Sequence, residues 1–275
     1  MIFSSVQRLV ALGPALAGAG LAVAPSPAAA GIVSEGKVDH SAYDVLLKSY
    51  VDQSGMVDYQ RWKQDDAAAL KRYLDDLAAV DPDQLSNRNQ KLAYWINLYN
   101  ALTIDAVLHF YPIQSIKDKV SVLFGYNVWD DYKITVGGRQ LSLNDIEHKI
   151  LRKLGEPRIH FAIVCASKSC PRLRREAYSG DRLDQQLTRS SRDFFAAPDH
   201  LRVERQSRIV YLSPILDWFG EDFGVTDAKK LDFVASFAPE ELRDVLRQQG
   251  LEIKYLDYDW SLNQEEKTGT GSESP

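Results

Sequence analysis

The sequence is poor in sulfur. Its 275 residues include two cysteines and two methionines, and the cysteines are Cys165 and Cys170. Two thiols permit one intramolecular disulfide. Their spacing is not the Cys-x-x-Cys that is typical of thiol–disulfide oxidoreductases, so the usual redox signature is absent.

Positive charge is also scarce. The chain has 33 Lys and Arg against 38 Asp and Glu, a formal net charge of −5, and the two signs are mixed along it. Proteins that bind nucleic acid need a basic stripe. The charge balance therefore disfavours nucleic acid as a partner and does not indicate an anionic lipid surface.

Long apolar runs are lacking beyond the N-terminus. Residues 9–24 are apolar, but this run is too short and too interrupted by proline for a membrane span of ~20 residues. With Arg8 before it and small residues at 28–30, it has the three-part pattern of a secretory signal peptide. We predict a signal peptide over residues 1–30 and a periplasmic or secreted chain that starts near Gly31, with no membrane span.

The remaining chain predicts one mostly helical α+β domain. Residues 37–263 contain no internal repeat and no linker, so residues 31–264 are predicted to be a single domain. Residues 39–79 predict an N-terminal extension of two helices. Residues 265–275 offer nothing with which to build a core and are predicted to be disordered.

The longest predicted helix, about residues 89–110, is apolar on every side, which is typical of a buried central helix. Asn97 and Asn100 share one face of it. A buried amide left unpaired costs ~1–3 kcal/mol, so each amide needs a partner. Either these amides tie loops to the core, or one of them orients a catalytic group.

Two hairpins are predicted beside this helix. Gly137-Gly138 marks a two-residue turn between the strands 132–136 and 139–141. A second hairpin pairs residues 201–203 with 209–212. The predicted fold is a central helix packed against a small antiparallel sheet of hairpins.

A helix over residues 143–154 follows the first hairpin, with Ser142 and Asp145 placed for a capping box and Gly155 as its stop. Glu147 falls within its apolar stripe, and His148 falls at the edge of that stripe or beyond.

Residues 159–164 are the most strand-like run and end at Cys165. In a regular strand, His160 and Cys165 would point to opposite faces and lie ~16 Å apart at ~3.3 Å per residue. His148 is therefore the predicted base for a cysteine nucleophile.

Four blocks occur in one order along the chain: YWINLYNA (94–101), LNDIEH (143–148), RIHFAIVCASKSCP (158–171) and YDWSLN (258–263). Together they resemble the DUF547 family, which is named for its lack of an assigned function, and the resemblance spans residues 85–263. The resemblance implies a set of shared residues, which are Asn97, Asn100, Glu147, His148, His160, Cys165, Ser167, Cys170 and Pro171.

The first interpretation of the thiols is nucleophilic catalysis by a thiol-dependent hydrolase or acyltransferase. Cys165 or Cys170 attacks, His148 is the base, and the supporting residues are His160, Glu147, Asn97 and Asn100. A buried helix against hairpins is similar to papain-like and transglutaminase-like hydrolases. Only a rearranged version fits, because here the histidine precedes the cysteine and no cysteine opens the central helix.

The second interpretation is a Cys165–Cys170 disulfide, which is either inert, in a non-catalytic binding module, or redox-active. It would contribute at most ~3 kcal/mol, because the loop is short. The third is a zinc ion held by both cysteines with His148 and His160, although their spacing matches no common zinc finger. We predict no metal and no cofactor.

The predicted ligand is a small molecule or peptide whose identity the sequence does not give. Ser167 and Arg172 are the predicted substrate-binding residues. The basic residues Arg172, Arg174 and Arg175 after the cysteines could bind a substrate carboxylate. Alternatively, they are the solvated start of a helix.

Overall fold

The computed structural model describes residues 29–121 and 126–265. The predicted signal peptide and disordered tail lie outside the described residues, except for their innermost positions. No helix in these two ranges combines the length and the apolar character that crossing a membrane requires.

Helices dominate the described chain. The α-helices are Ala29–Ile32, Ser41–Tyr50, Tyr59–Asp65, Ala67–Ala78, Arg88–Phe110, Val128–Asp131, Leu183–Ala196, Ile215–Trp218, Gly220–Phe223, Asp227–Phe237 and Glu240–Leu246. The 3-10 helices are Pro82–Gln84, Ile116–Lys119, Arg152–Leu154, Pro157–Phe161 and Gly180–Arg182. The strands are Val33–Ser34, Lys37–Val38, Val120–Ser121, Tyr126–Asn127, Lys133–Val136, Arg139–Ser142, Leu201–Glu204, Ile209–Leu212 and Glu252–Tyr255.

The central helix, Arg88–Phe110, is buried along most of its length, as predicted. The Asn87 side chain caps it by accepting a hydrogen bond from the Gln90 backbone N–H. The helix ends before Pro112, which lacks the N–H needed to continue it. This helix is the axis against which the site residues pack.

Both predicted hairpins are present, and the α+β fold with small sheets is confirmed. Gly137 and Gly138 both have positive φ, as a primed two-residue turn requires. The strand Glu252–Tyr255 was not predicted. It joins Ile209–Leu212 in parallel, so the second sheet is mixed rather than purely antiparallel. The likeness to papain-like and transglutaminase-like hydrolases stays a prediction.

Two hydrophobic clusters fill the interior of the described part of the chain. The first surrounds the central helix and includes Ile159 and Ala162. The second lies between the helix Leu183–Ala196 and the three-stranded sheet, and it includes Phe161. Consecutive residues of one segment thus point into different clusters, and this segment leads directly to Cys165.

The predicted strand over residues 159–164 is wrong. Pro157–Phe161 forms a 3-10 helix, which begins at Pro157 with the Glu156 carboxylate as its cap. The run is apolar because it lies between the two clusters, and a short apolar run does not by itself distinguish a strand from a buried helical turn. The ~16 Å separation expected from strand geometry therefore no longer applies to His160 and Cys165.

The predicted helix over residues 143–154 is helical but wound differently. The reciprocal hydrogen bonds between Ser142 and Asp145 are present, and Gly155 ends the segment with φ of 68°. Asp145–Leu151 is a π-helix, a rare form that occurs mostly as a single turn and frequently at functional sites. Glu147 and His148 both lie in this wider turn, so the α-helical spacing of 3.6 residues per turn does not describe their relative directions.

Candidate functional site

A cavity of about 220 Å³ lies where the two hydrophobic clusters meet. Five of the predicted catalytic residues line it, which are Glu147, His148, His160, Cys165 and Cys170. The aromatic part of its wall consists of Tyr99, Trp129, Trp218, Phe219, Tyr258 and Trp260. The fold thus gathers most of the predicted site into one place.

His160 is held in a single orientation. Its Nε2 lies 2.7 Å from Oδ2 of Asp222, and its ring stacks on Phe219 with 4.1 Å between the ring centres. Burial lowers the pKa of His160 to about 4, against the opposing effect of Asp222. The ring is neutral at pH 7, and with the Nε2 proton directed at the carboxylate, Nδ1 is left as the acceptor.

Arg152 fixes the carboxylate of Asp222. Its Nε and Nη2 donate to the two oxygens at 2.6 and 2.9 Å, a bidentate pair. Burial acts to raise the pKa of Asp222, but hydrogen bonds from Arg152 and His160 hold it below its usual value. Asp222 is therefore an ionised acceptor for His160.

Glu147 is a buried carboxyl group in the same wall. Its Oε2 accepts a hydrogen bond from the Tyr99 hydroxyl at 3.1 Å, and its Oε1 lies 3.9 Å from Nδ1 of His160. Burial raises the pKa of Glu147 to about 7. A group with this pKa can both release and accept a proton at neutral pH.

His148 is more exposed than His160 and is placed differently. Its Nδ1 lies 3.2 Å from Nη1 of Arg152, so a guanidinium rather than a carboxylate faces the ring. Burial and then the charge of Arg152 lower the pKa of His148.

Cys165 and Cys170 form a disulfide, and the described residues contain no free cysteine. Cys165 is half-buried, whereas Cys170 is 7% exposed. The Cys165 backbone N–H donates to Sγ of Cys170 at 3.0 Å. The hydroxyls of Ser167 and Tyr258 lie 3.2–3.3 Å from the sulfurs.

Asn97 and Asn100 each bind the backbone twice. The Asn100 amide donates to the Ala162 carbonyl at 3.0 Å and accepts from the Val164 N–H at 3.0 Å. Asn97 does the same with the carbonyl and the N–H of Tyr178, at 2.8 and 2.9 Å. These contacts match the interpretation in which both amides tie loops to the core, and neither side chain lines the cavity.

The two predicted substrate-binding residues lie outside the cavity wall. Ser167 is buried behind the disulfide, where its backbone pairs with Leu262. Arg172 is exposed. The zinc arrangement is not formed: within residues 29–121 and 126–265, no group of three or more His, Cys, Asp or Glu is placed to hold a metal ion.

Sequence reasoning missed Asp222 and Arg152. Arg152 lies four positions after His148, a spacing at which side chains meet on a helix, and this signal could have indicated it. Asp222 lies in the short helix Gly220–Phe223, far along the chain, and no local pattern marks it. Tyr258 lies in the YDWSLN block, whose sequence alone indicates no role for it.

Comparison with known proteins gives one result. The family model described as "Protein of unknown function, DUF547" matches residues 82–195. This range contains the π-helix, the cavity residues His148 and His160, and both cysteines. Asp222 and Tyr258 lie beyond it. Searches of the curated proteins and of the solved structures found no match.

Proposed function

We propose a function from the cavity itself, a thiol-dependent hydrolase or acyltransferase, because the family model that matches residues 82–195 carries no assigned activity. The observation that supports it most is the shared cavity wall of Cys165, His160 and Glu147, with His160 bound to Asp222. A nucleophile, a base and a group that orients the base are the parts that such catalysis needs.

The contacts favour Cys165 as the nucleophile and His160 as its base. Cys165 is the more exposed of the two cysteine residues. His160 has an ionised carboxylate on one ring nitrogen, whereas His148 has a guanidinium next to it. This proposal replaces His148, the base expected from the sequence, with a histidine whose orientation is fixed.

The chemistry runs through the reduced form, which external thiols generate: two of them are oxidised to a disulfide as the Cys165–Cys170 bond is reduced to two thiols. His160 Nδ1 takes the proton of the Cys165 thiol, and the thiolate attacks an acyl carbon so that a carbon–sulfur bond forms. The bond to the leaving group breaks as that group takes the proton from His160. Water or another acceptor then loses a proton to His160 and attacks the thioester. The carbon–sulfur bond breaks and Cys165 is protonated again.

The wall indicates the substrate class. Trp129, Trp218 and Trp260 present apolar ring surface, and Glu147 has a pKa of about 7 rather than a fixed charge. A small acyl compound or peptide end with an uncharged, apolar acyl group fits these surroundings.

The test is hydrolysis of an aromatic acyl thioester by the reduced, full-length protein. We expect turnover by the wild type, its loss in Cys165→Ser, and at least partial retention in Cys170→Ser. Full activity in Cys165→Ser, or no covalent labelling of reduced wild type by an acyl-type thiol probe, rules the hydrolase out.

A binding module is the second candidate, and the three tryptophans in one small wall are the observation that favours it. Such a module needs no free thiol. It predicts that an aromatic acyl amide quenches tryptophan fluorescence equally in wild type and in Cys165→Ser, with no turnover in either. If quenching is lost in Trp218→Ala, a variant that keeps Trp129 and Trp260, the ligand binds in the cavity.

We also propose that the chain is exported, on the pattern of residues 1–30. N-terminal sequencing of protein recovered from the periplasm or the medium should begin near Gly31. Recovery only from the cytoplasm with Met1 intact contradicts export.

A further inference from the structure

We propose a second reaction at the same sulfurs: the Cys165–Cys170 disulfide exchanges with an external thiol in one direction. The incoming thiolate attacks Sγ of Cys165, and Cys170 is the leaving group. This inference rests on the disulfide and its contacts, and it holds whether or not the cavity hydrolyses acyl compounds.

Access favours attack at Cys165. Exchange requires the attacking thiolate to reach one sulfur of the disulfide. Both cysteines line the cavity, but Cys165 is half-buried whereas Cys170 is buried, with 7% of its surface exposed. A thiol that enters the cavity therefore meets Cys165 with less obstruction.

The leaving group is stabilised at Cys170. Its Sγ accepts a hydrogen bond from the Cys165 backbone N–H at 3.0 Å. Donors of this kind favour the charged form of a thiol, and a leaving thiol of lower pKa departs faster. The N–H is fixed by the loop, so this stabilisation is in place before the bond breaks.

Two hydroxyls lie next to both sulfurs, and the Ser167 hydroxyl also donates to Oη of Tyr258 at 3.0 Å. Ser167 Oγ lies 3.2 Å from Sγ of Cys165 and 3.3 Å from that of Cys170, and Tyr258 Oη lies 3.3 Å from each. Burial raises the pKa of Tyr258 to about 12, so its hydroxyl keeps its proton at neutral pH. Each hydroxyl lies at a similar distance from both sulfurs, so the hydroxyls assist exchange but do not determine which sulfur is attacked. Attack at Cys165 follows from its greater exposure and from the backbone N–H that binds Cys170.

The bonds and electrons balance. A sulfur–sulfur bond forms between the incoming thiol and Cys165, the Cys165–Cys170 bond breaks, and its electron pair stays on Cys170 as a thiolate. A second thiol then attacks the external sulfur of the mixed disulfide. This step releases an external disulfide and the Cys165 thiolate. The thiol class that fits the aromatic wall is a small thiol on an uncharged, apolar carrier.

The test uses oxidised, full-length protein in its native state with less than one equivalent of benzyl mercaptan. The reaction is stopped with acid, free thiols are blocked with N-ethylmaleimide, and peptides are mapped by mass. We expect the benzylthio group on Cys165 and the maleimide on Cys170, at least tenfold over the reverse. Equal labelling, the reverse pattern, or reaction only after denaturation overturns the inference.

A matched pair of variants tests the donors. Tyr258→Phe should slow exchange about fivefold, as loss of a hydrogen bond of about 1 kcal/mol predicts, while Cys165 stays the labelled residue. Tyr255→Phe is the control, because its hydroxyl binds Lys230 instead. An unchanged exchange rate in Tyr258→Phe overturns the role of its hydroxyl. Directional exchange without thioester turnover contradicts only the hydrolase proposal. Thioester turnover without directional exchange contradicts only the exchange proposal.

Discussion

His160 Nε2 and Asp222 Oδ2 lie 2.7 Å apart, although the residues are 62 positions apart in the chain. His160 belongs to the segment that runs between the two hydrophobic clusters, and Asp222 follows the packed residues Ile215 and Leu216 of the second cluster. The orientation of the His160 ring in the cavity therefore depends on how the segment with Asp222 packs in the second hydrophobic cluster.

Replacing Asp222 tests this link. Asp222→Asn removes the ionised acceptor and leaves Arg152 without its bidentate partner. We expect a loss of about 1–3 kcal/mol in the free energy of unfolding and at least a tenfold loss of thioester turnover. Urea unfolding and turnover measure the two effects. Asp217→Asn, an exposed position in the preceding turn, should change neither. Wild-type values for Asp222→Asn would show that the pair has no role.

Glu147 should make stability depend on pH in an unusual direction. Its pKa rises from 4.5 to about 7 on folding. The folded state therefore binds the proton more tightly, and the stabilisation present below pH 4.5 is lost as pH rises through about 7. The full difference is on the order of 3 kcal/mol.

The measurement for Glu147 is urea unfolding of wild type and Glu147→Gln at pH 5 and pH 8. The glutamine does not ionise, so the variant should lose less stability between these two values than wild type. Glu241→Gln, at an exposed site, should keep the wild-type difference. Parallel pH dependence in wild type and Glu147→Gln contradicts the raised pKa.

The two asparagines of the central helix form a matched comparison. Each alanine variant leaves one buried carbonyl and one buried N–H unpaired, at ~1–3 kcal/mol for each group. Asn97→Ala and Asn100→Ala should therefore destabilise to a similar extent. Asn100 alone holds the residues next to Cys165. Only Asn100→Ala should change the rate at which iodoacetamide alkylates Cys165 in reduced protein, and equal rates in both variants argue against a positioning role.

The disulfide should contribute modest stability. It closes a loop with a sequence separation of 5, and the chain-entropy relation gives about 2 kcal/mol for so short a loop. The double variant Cys165→Ser/Cys170→Ser should unfold at lower urea concentration by that amount. Reduced wild type should match it. If oxidised wild type and the double variant unfold together, the bridge adds no stability.

The sequence predicted those parts of the fold that local patterns encode. The all-round apolar pattern of Arg88–Phe110 indicates a buried helix, and Gly137-Gly138 indicates a tight hairpin. Ser142 and Asp145 mark a helix start. Each signal lies within a few residues of what it predicts, and each is confirmed.

The errors arise where distant parts of the chain decide the local structure. Residues 159–164 read as a strand because both sides are apolar, yet two separate clusters cover those sides. The Ala162 carbonyl and the Val164 N–H bind the side chain of Asn100 rather than a neighbouring strand. Asp222 could not be identified, because its role depends on the contact with His160 and Arg152 and not on its neighbours in sequence.

The C-terminal segment has a consequence for how the protein is made. Leu262 pairs with Ser167, and the Asn263 N–H binds the Ala166 carbonyl at 3.1 Å, so the last described residues cover the back of the cysteine loop. The N-terminal part of a chain is synthesised first and emerges first from the ribosome, and domains begin to fold in that order. The nascent chain therefore carries both sulfurs before their cover exists, and cysteine pairing can begin while that loop is still open to cellular oxidants.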